Sequence, residues 1–355
     1  MSAEELADYF MQHSPGFHGD LDLLEIDDKH TNILREAYRE IKNKKAFNQK
    51  SFRSWKSQSD LNAPAQISFR AIRSQGATKV FLRYAYIKLC RRIEDKFLLS
   101  ALLDDIEVIK LLGGKDLLIE NPVHLTPGAK EIYNVCGTSV NSRWLRYIYL
   151  LKRILDLNLL ADGGVWVDVG SYYGGLQGLV RKYHPESRII MVDFHHQLCR
   201  SFIYLSQLFP DAKHIMPDQL SEYIKLKDIP KGAIMYVPAS EYERIADQTI
   251  DLVTNFVSLG EMRREFFNIY MNSPLFRRSQ KVFLVNRFVS APYFEKTYDT
   301  DVSVLDYIAS HRKIEYFDVF PIHQFVLIKR NLFGRKSFRN TSSNYFEMVT
   351  SKADM

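Results

Sequence analysis

Beyond residue 160 the chain is built from short apolar runs separated by stretches of helical spacing. The first run, Val165–Val169, and the second, residues 189–194, are apolar along most of their length, as expected of parallel strands buried on both faces. Between them Leu176, Leu179, Val180 and Tyr183 fall at i, i+3, i+4 and i+7, which predicts a helix with one face on a sheet. A second helical stripe follows in Leu198, Phe202, Leu205 and Phe209, and Pro210 ends it. Three more strands are expected at residues 233–237, 250–256 and 281–287. The runs 314–320 and 325–329, on either side of Pro321, are expected to close the sheet as an antiparallel pair.

Residues 1 to about 130 show helical spacing and no chemical motif. Thr31 can cap a helix carrying Ile33, Leu34, Ala37, Tyr38 and Ile41 on one face. Residues 42–56 interleave Lys and Arg with Phe47, Phe52 and Trp55, either a solvated helix face or a patch for an acidic surface. A stronger helix is expected near residues 88–112, with Ile93, Phe97, Leu98, Ala101 and Leu102 inward, stopped by Gly113 and Gly114. Residues 121–140 are turn-rich. They lead into an amphipathic helix whose Leu145, Ile148 and Tyr149 can pack while Arg143 and Arg146 occupy another face. Arg143 is there either a group for a carboxylate or a plain surface arginine. The expected division is a helical region 1–130, an α/β domain 131–332, and a basic and polar C-terminal tail 333–355.

Composition changes this picture little. The 355 residues are 46% hydrophobic, and 48 basic residues against 42 acidic ones leave a net charge of +6, too balanced to imply nucleic acid by itself. The N-terminus has no secretory pattern and no apolar run approaches 18 residues, so a cytoplasmic location is expected. Cys90, Cys136 and Cys199 are too scattered for a disulfide framework or a structural zinc. The basic stretch 329–339, with Leu332, Phe333 and Phe338, is either a solvated tail or a peripheral contact with an anionic membrane surface.

The chemistry is concentrated in the turn after the first run, which reads Asp168, Val169, Gly170, Ser171, Tyr172, Tyr173, Gly174, Gly175. A glycine turn at a helix N-terminus can hold an anionic group on free N–H groups. Asp193, at the end of the second run, stands about 20 residues downstream, the spacing of a carboxylate that takes ribose hydroxyls. Two tyrosines in the turn would crowd a pyrophosphate, and Asp168 suits a ligand ammonium. S-adenosylmethionine is therefore expected rather than a dinucleotide, with a cofactor-free glycine turn as the plain alternative. The expected cofactor residues are Asp168, Gly170, Ser171, Tyr172, Tyr173, Gly174, Asp193, Phe194, Ala239, Ser240 and Asn255. His195 and His196 are adjacent with no third ligand evident, so no metal is expected.

From about Cys136 to Lys329 the chain resembles the sugar O-methyltransferase family of bacterial surface-polysaccharide gene clusters. The resemblance is carried by four segments in order: Asp168 through Leu176, Val192-Asp193-Phe194, Ser258-Leu259-Gly260-Glu261-Met262, and Asn286-Arg287. Two positions depart from the pattern: Asp168 stands for a glutamate, and Tyr172 for a glycine that lets the cofactor lie close. The resemblance implies a Rossmann-like class I methyltransferase fold with a seven-stranded, mostly parallel sheet. It also implies methyl transfer to a hydroxyl of a sugar, nucleotide-sugar or lipid-linked glycan. Glu261 is the first candidate for a base, His195 the second, and Arg287 a group that orients the acceptor. Two competing expectations remain: a methyltransferase-like interaction protein, motivated by Tyr172, and a nucleic-acid methyltransferase. Against the latter, residues 255–258 do not form an N-P-P-Y-type element.

Overall fold

A computed structural model describes residues 1–16, 77–129, 132–262, 264–290, 302–323, 325–330, 336–340 and 345–353. The main sheet has eight strands: β1 Val165–Val169, β2 Arg188–Asp193, β3 His214–Ile215, β4 Ile234–Pro238, β5 Leu252–Phe256, β6 Lys281–Arg287, β7 Arg312–Val319 and β8 Tyr345–Lys352. Their spatial order is β7-β8-β6-β5-β1-β2-β4-β3. Strands β1 to β6 run parallel, and β8 is antiparallel to both of its neighbours, β6 and β7. This is the doubly wound arrangement of the Rossmann-like class I methyltransferase fold, with the two-residue strand β3 added at one edge.

Strand periodicity divides the core in two. Trp166, Ile189, Met191, Tyr236, Leu252, Phe283 and Val285 belong to the cluster on one face. Val165, Val167, Val169, Ile190, Val192, Val253, Val282 and Leu284 belong to the cluster on the other. Helices packed on the first face include α1 Ala3–Gln12, α2 Ala77–Leu111, α3 Ser142–Asp156, α4 Gly175–Tyr183 and α5 His195–Leu208. Helix α1 starts at a capping box, Ser2 accepting from the Glu5 N–H at 3.2 Å while the Ser2 N–H donates to Glu5 at 2.6 Å. It buries Phe10 against Phe202 and Tyr236. Helix α3 starts at Asn141, whose side chain accepts from the Trp144 N–H at 2.8 Å.

Four sequence expectations are altered. The helix expected over 88–112 begins earlier, at Ala77, and ends where Gly113 adopts φ +75°. Residues 325–329 do not join the main sheet: Phe325–Arg330 pairs with Lys336–Asn340 in a separate ribbon. The antiparallel strand is instead β8, inside the segment expected to be a tail, and the sheet has eight strands rather than seven. In that strand Glu347 is fully buried. It accepts from Tyr149 at 2.8 Å and Tyr316 at 2.7 Å, beside Arg153 at 3.5 Å, and burial pushes its carboxyl up. Thr31 and the basic stretch 42–56 lie outside the described residues, as do Leu332 and Phe333. Among the described residues no helix is long and apolar enough to cross a membrane.

A strand inserted between β6 and β7 should behave as core. Phe346 is fully buried and packs on Phe288, Tyr307 and Phe317. Phe346→Ala should therefore cost about 3–5 kcal/mol, read as a lower midpoint in urea denaturation. A loss under about 0.5 kcal/mol, the range of surface substitutions, would contradict this placement.

Candidate functional site

The carboxyl ends of β1, β2, β5 and β6 meet at one rim, and Asn255 ties three of them together. Its amide group donates to the Val169 carbonyl at 2.8 Å, and its oxygen accepts from the Leu259 N–H and from Asn286, each at 3.0 Å. Asn286 in turn accepts from the Gly260 N–H at 3.1 Å. Asn255 is fully buried. The expectation that it contacts a cofactor is corrected: its polar atoms are used within the protein.

The chain leaves β5 through Val257, a β-branched residue at φ +72°, and turns Ser258 back against Gly170. Gly170 has φ +82°, and a Cβ there would lie 2.2 Å from Ser258 Oγ, so glycine is required by conformation and by contact. Tyr172 also has a left-handed φ, +56°. Its N–H donates to Asp193 at 2.7 Å, and its carbonyl accepts from Ser201 at 2.6 Å. Tyr173 is buried edge-on between Tyr147 and Tyr204. Gly174 precedes α4 with φ +84° and no side-chain cap.

Asp193 sits at the end of β2 as expected, partly exposed, one oxygen accepting from Tyr172 N–H and the other from Phe194 N–H at 2.8 Å. Phe194 caps α5 and stacks on His196. Ser171 is buried within the turn, its hydroxyl without a hydrogen-bond partner among the described residues. Beyond β4, Ala239 is buried and Ser240 exposed at the start of a short 3-10 turn.

Asp168 departs from its expected role. It is 3% exposed, and its oxygens accept from Gln177 and Thr254. Each of its oxygens already serves a bond within the protein. Burial, and more weakly the nearby Asp193, push its carboxyl up to about 8. His195 is likewise enclosed, 2% exposed and hydrogen-bonded through Nδ1 to Ser14 at 2.7 Å. As the second candidate base it would have to act from beneath the segment that follows α1.

Glu261 and Arg287 do come together. Arg287 Nη2 lies 3.4 Å from Glu261, while Arg287 Nε donates to the Tyr345 hydroxyl at 3.0 Å. The Glu261 side chain remains 38% exposed. Burial raises its carboxyl pKa, and the guanidinium groups of Arg287, Arg143 and Arg146 oppose that rise. Arg143 lies over the Tyr172 ring at 4.3 Å. Sequence reasoning placed Arg146 only on a polar helix face; the three-residue spacing from Arg143 was the available signal that both turn to one rim.

No protein-family model and no curated protein matches the chain. Among solved structures, the mitomycin 7-O-methyltransferase MmcR is 12% identical over 59% of this chain and 57% of its own, with a TM-score of 0.35. The methyltransferase domain of bacterial CtHen1-C is 12% identical over 60% of this chain and 100% of its own, at 0.34. TrmN from Thermus thermophilus is 10% identical over 61% and 54%, at 0.35. The chain thus spans little more than half the length of MmcR and TrmN. The strand order, rather than these distant neighbours, carries the fold assignment.

The raised Asp168 carboxyl has a measurable consequence. Between the ordinary carboxylate value of about 4 and the folded value of about 8, the unfolded chain has released a proton that the folded protein retains. Stability attributable to this group therefore falls as pH rises through that window and levels off above it. Asp168→Asn removes the titration, so its stability should lose that slope in chemical denaturation at stepped pH. An unchanged slope would show that Asp168 ionises normally.

Proposed function

We propose that this chain is an S-adenosylmethionine-dependent O-methyltransferase acting on a hydroxyl of a sugar or glycan. The observation that carries the reading is the convergence of the four resemblance segments at one rim: Gly170 against Ser258, Asn286 bonded to Asn255 and to the Gly260 N–H, and Arg287 beside Glu261. The ribose end suits the cofactor, because Asp193 is partly exposed at the end of β2 and the start of α4 has no side-chain cap on its first N–H groups. The buried, unpartnered Ser171 hydroxyl in the same turn is a further group for it. Phe194, Ala239 and Ser240 flank the place where an adenine would lie.

The cofactor supplies a methyl group on a positive sulfur, whose displacement needs mainly alignment. The protein has to orient an acceptor hydroxyl and accept its proton as the carbon–oxygen bond forms. Glu261 is placed for this: its raised pKa brings it closer to the operating pH than an ordinary carboxylate, and Arg287 fixes one of its oxygens.

A cofactor-free interaction protein is the second reading. It is favoured by the Tyr172 side chain at the glycine position and by the enclosure of Asp168. Calorimetry with S-adenosylhomocysteine separates the two: the enzyme reading expects binding that weakens roughly 10- to 100-fold in Asp193→Ala. Absence of binding in the parent protein supports the interaction protein instead.

Glu261→Gln should lower turnover about 100- to 10,000-fold in assays of methyl transfer from labelled cofactor to glycans, with cofactor affinity and melting temperature close to the parent. Turnover within a few-fold of the parent would leave Glu261 a structural partner of Arg287, and His195 would be the next base to test.

A further inference from the structure

One edge of the main sheet is long and open. Strand β7 pairs with β8 on one side, and among the described residues no strand pairs with its other side. An edge strand of eight residues presents a row of backbone donors and acceptors to which another strand can add. The opposite edge offers little of this, since β3 is only two residues long.

The register with β8 sorts the side chains of β7, because residues directly opposite one another share a face of the sheet. Ile314, Phe317 and Val319 stand opposite Thr350, Met348 and Phe346, so all three lie on one face. Each is 40% exposed or more. Lys313 and Asp318 stand opposite Ser351 and Glu347, on the other face, and both are exposed. The shift of register between Ile314 and Tyr316 is what lets Ile314 share a face with Phe317, three residues on.

These positions are complementary to themselves. When two copies of β7 run antiparallel about a twofold axis between Glu315 and Tyr316, Ile314 meets the second copy's Phe317 on the apolar face. Lys313 meets the second copy's Asp318 on the polar face, and the contact is made twice. Charges on an edge strand keep copies apart when like signs meet. Here opposite signs stand at equal distances from the strand centre. Glu315, beside the axis, is already paired with Lys281 on β6.

We propose that this chain forms a homodimer in which β7 pairs antiparallel with β7 of a second copy, so that one sheet continues through both. The contact is isologous, the same patch serving on each side. It requires no cofactor and no substrate, and it stands whether or not the chain transfers methyl groups.

The test is light scattering of the full chain after size exclusion, over a concentration series at low salt, for the parent, Lys313→Glu, Asp318→Lys and the double variant. The parent should run at twice the chain mass. Each single change sets like charges opposite each other at both contacts and should raise the dimer dissociation constant roughly 10- to 100-fold. The double variant restores opposite signs and should return to the parental constant. Mixing the two single variants should also restore dimers, because each then meets its complement in the other. Both side chains are exposed, so all variants should keep the parental circular dichroism spectrum.

A parent that stays monomeric up to about 100 µM overturns the proposal and leaves the edge to a strand of another protein. A dimer indifferent to both single changes also overturns it, placing the interface elsewhere. So does a loss of dimer that neither the double variant nor the mixture repairs.

Discussion

The rim depends on one buried carboxamide. Asn255 has no contact with solvent, and its hydrogen bonds reach three segments: the end of β1, the turn after β5 at Ser258 and Leu259, and Asn286 on β6. Leaving any one of these groups unpaired in the interior would cost about 1–3 kcal/mol, so the strand ends are held as a unit. This also accounts for Val257. A β-branched residue at φ +72° is strained, and it persists because its N–H is bonded to Val285 at 2.7 Å while Asn255 holds the turn beyond it. The strain delivers Ser258 to Gly170 and brings Glu261 to the face where Arg287 emerges.

The β1–α4–β2 unit was legible because its signals are local. Continuous apolar runs, a glycine turn and a 3.6-residue stripe each fit within a dozen residues, and the structure places all three as expected. Strand β8 was not, since nothing in a short window distinguishes residues 345–352 from a polar tail. Glu347 reads as surface, and the Tyr149, Tyr316 and Arg153 groups that make its burial tolerable come from distant parts of the chain. The same limitation explains Asp168 and Asn255. A polar residue at a strand end suggests a ligand contact, and only the fold reveals that Thr254, Gln177 and Asn286 already occupy it.

The glycines carry a related lesson. Glycine in such a turn is usually explained by the space a ligand needs, yet here the space is taken by the protein. A Cβ on Gly170 would strike Ser258, one on Gly174 would press on Leu205, and one on Gly175 would collide with Tyr147 and Tyr173. The turn is shaped by close packing before any ligand enters. Tyr172 fits that view: it accepts the left-handed backbone and turns its ring to the Arg143 guanidinium.

The place of β8 in the sheet has a consequence for how the molecule is made. Among the described residues, strand β7 is joined to the sheet only through β8, a strand that follows it in the chain. During synthesis β7 therefore leaves the ribosome before its partner exists, and the open edge of β6 must wait as well. Tyr345 opens β8 and receives Arg287, so this side of the rim is assembled only when the strand zips into place. A newborn chain would thus pass through a stage with β6 made and the Arg287 side of the rim still open. The exposed β6 edge at that stage is the natural point for a chaperone to hold or for an aggregate to start.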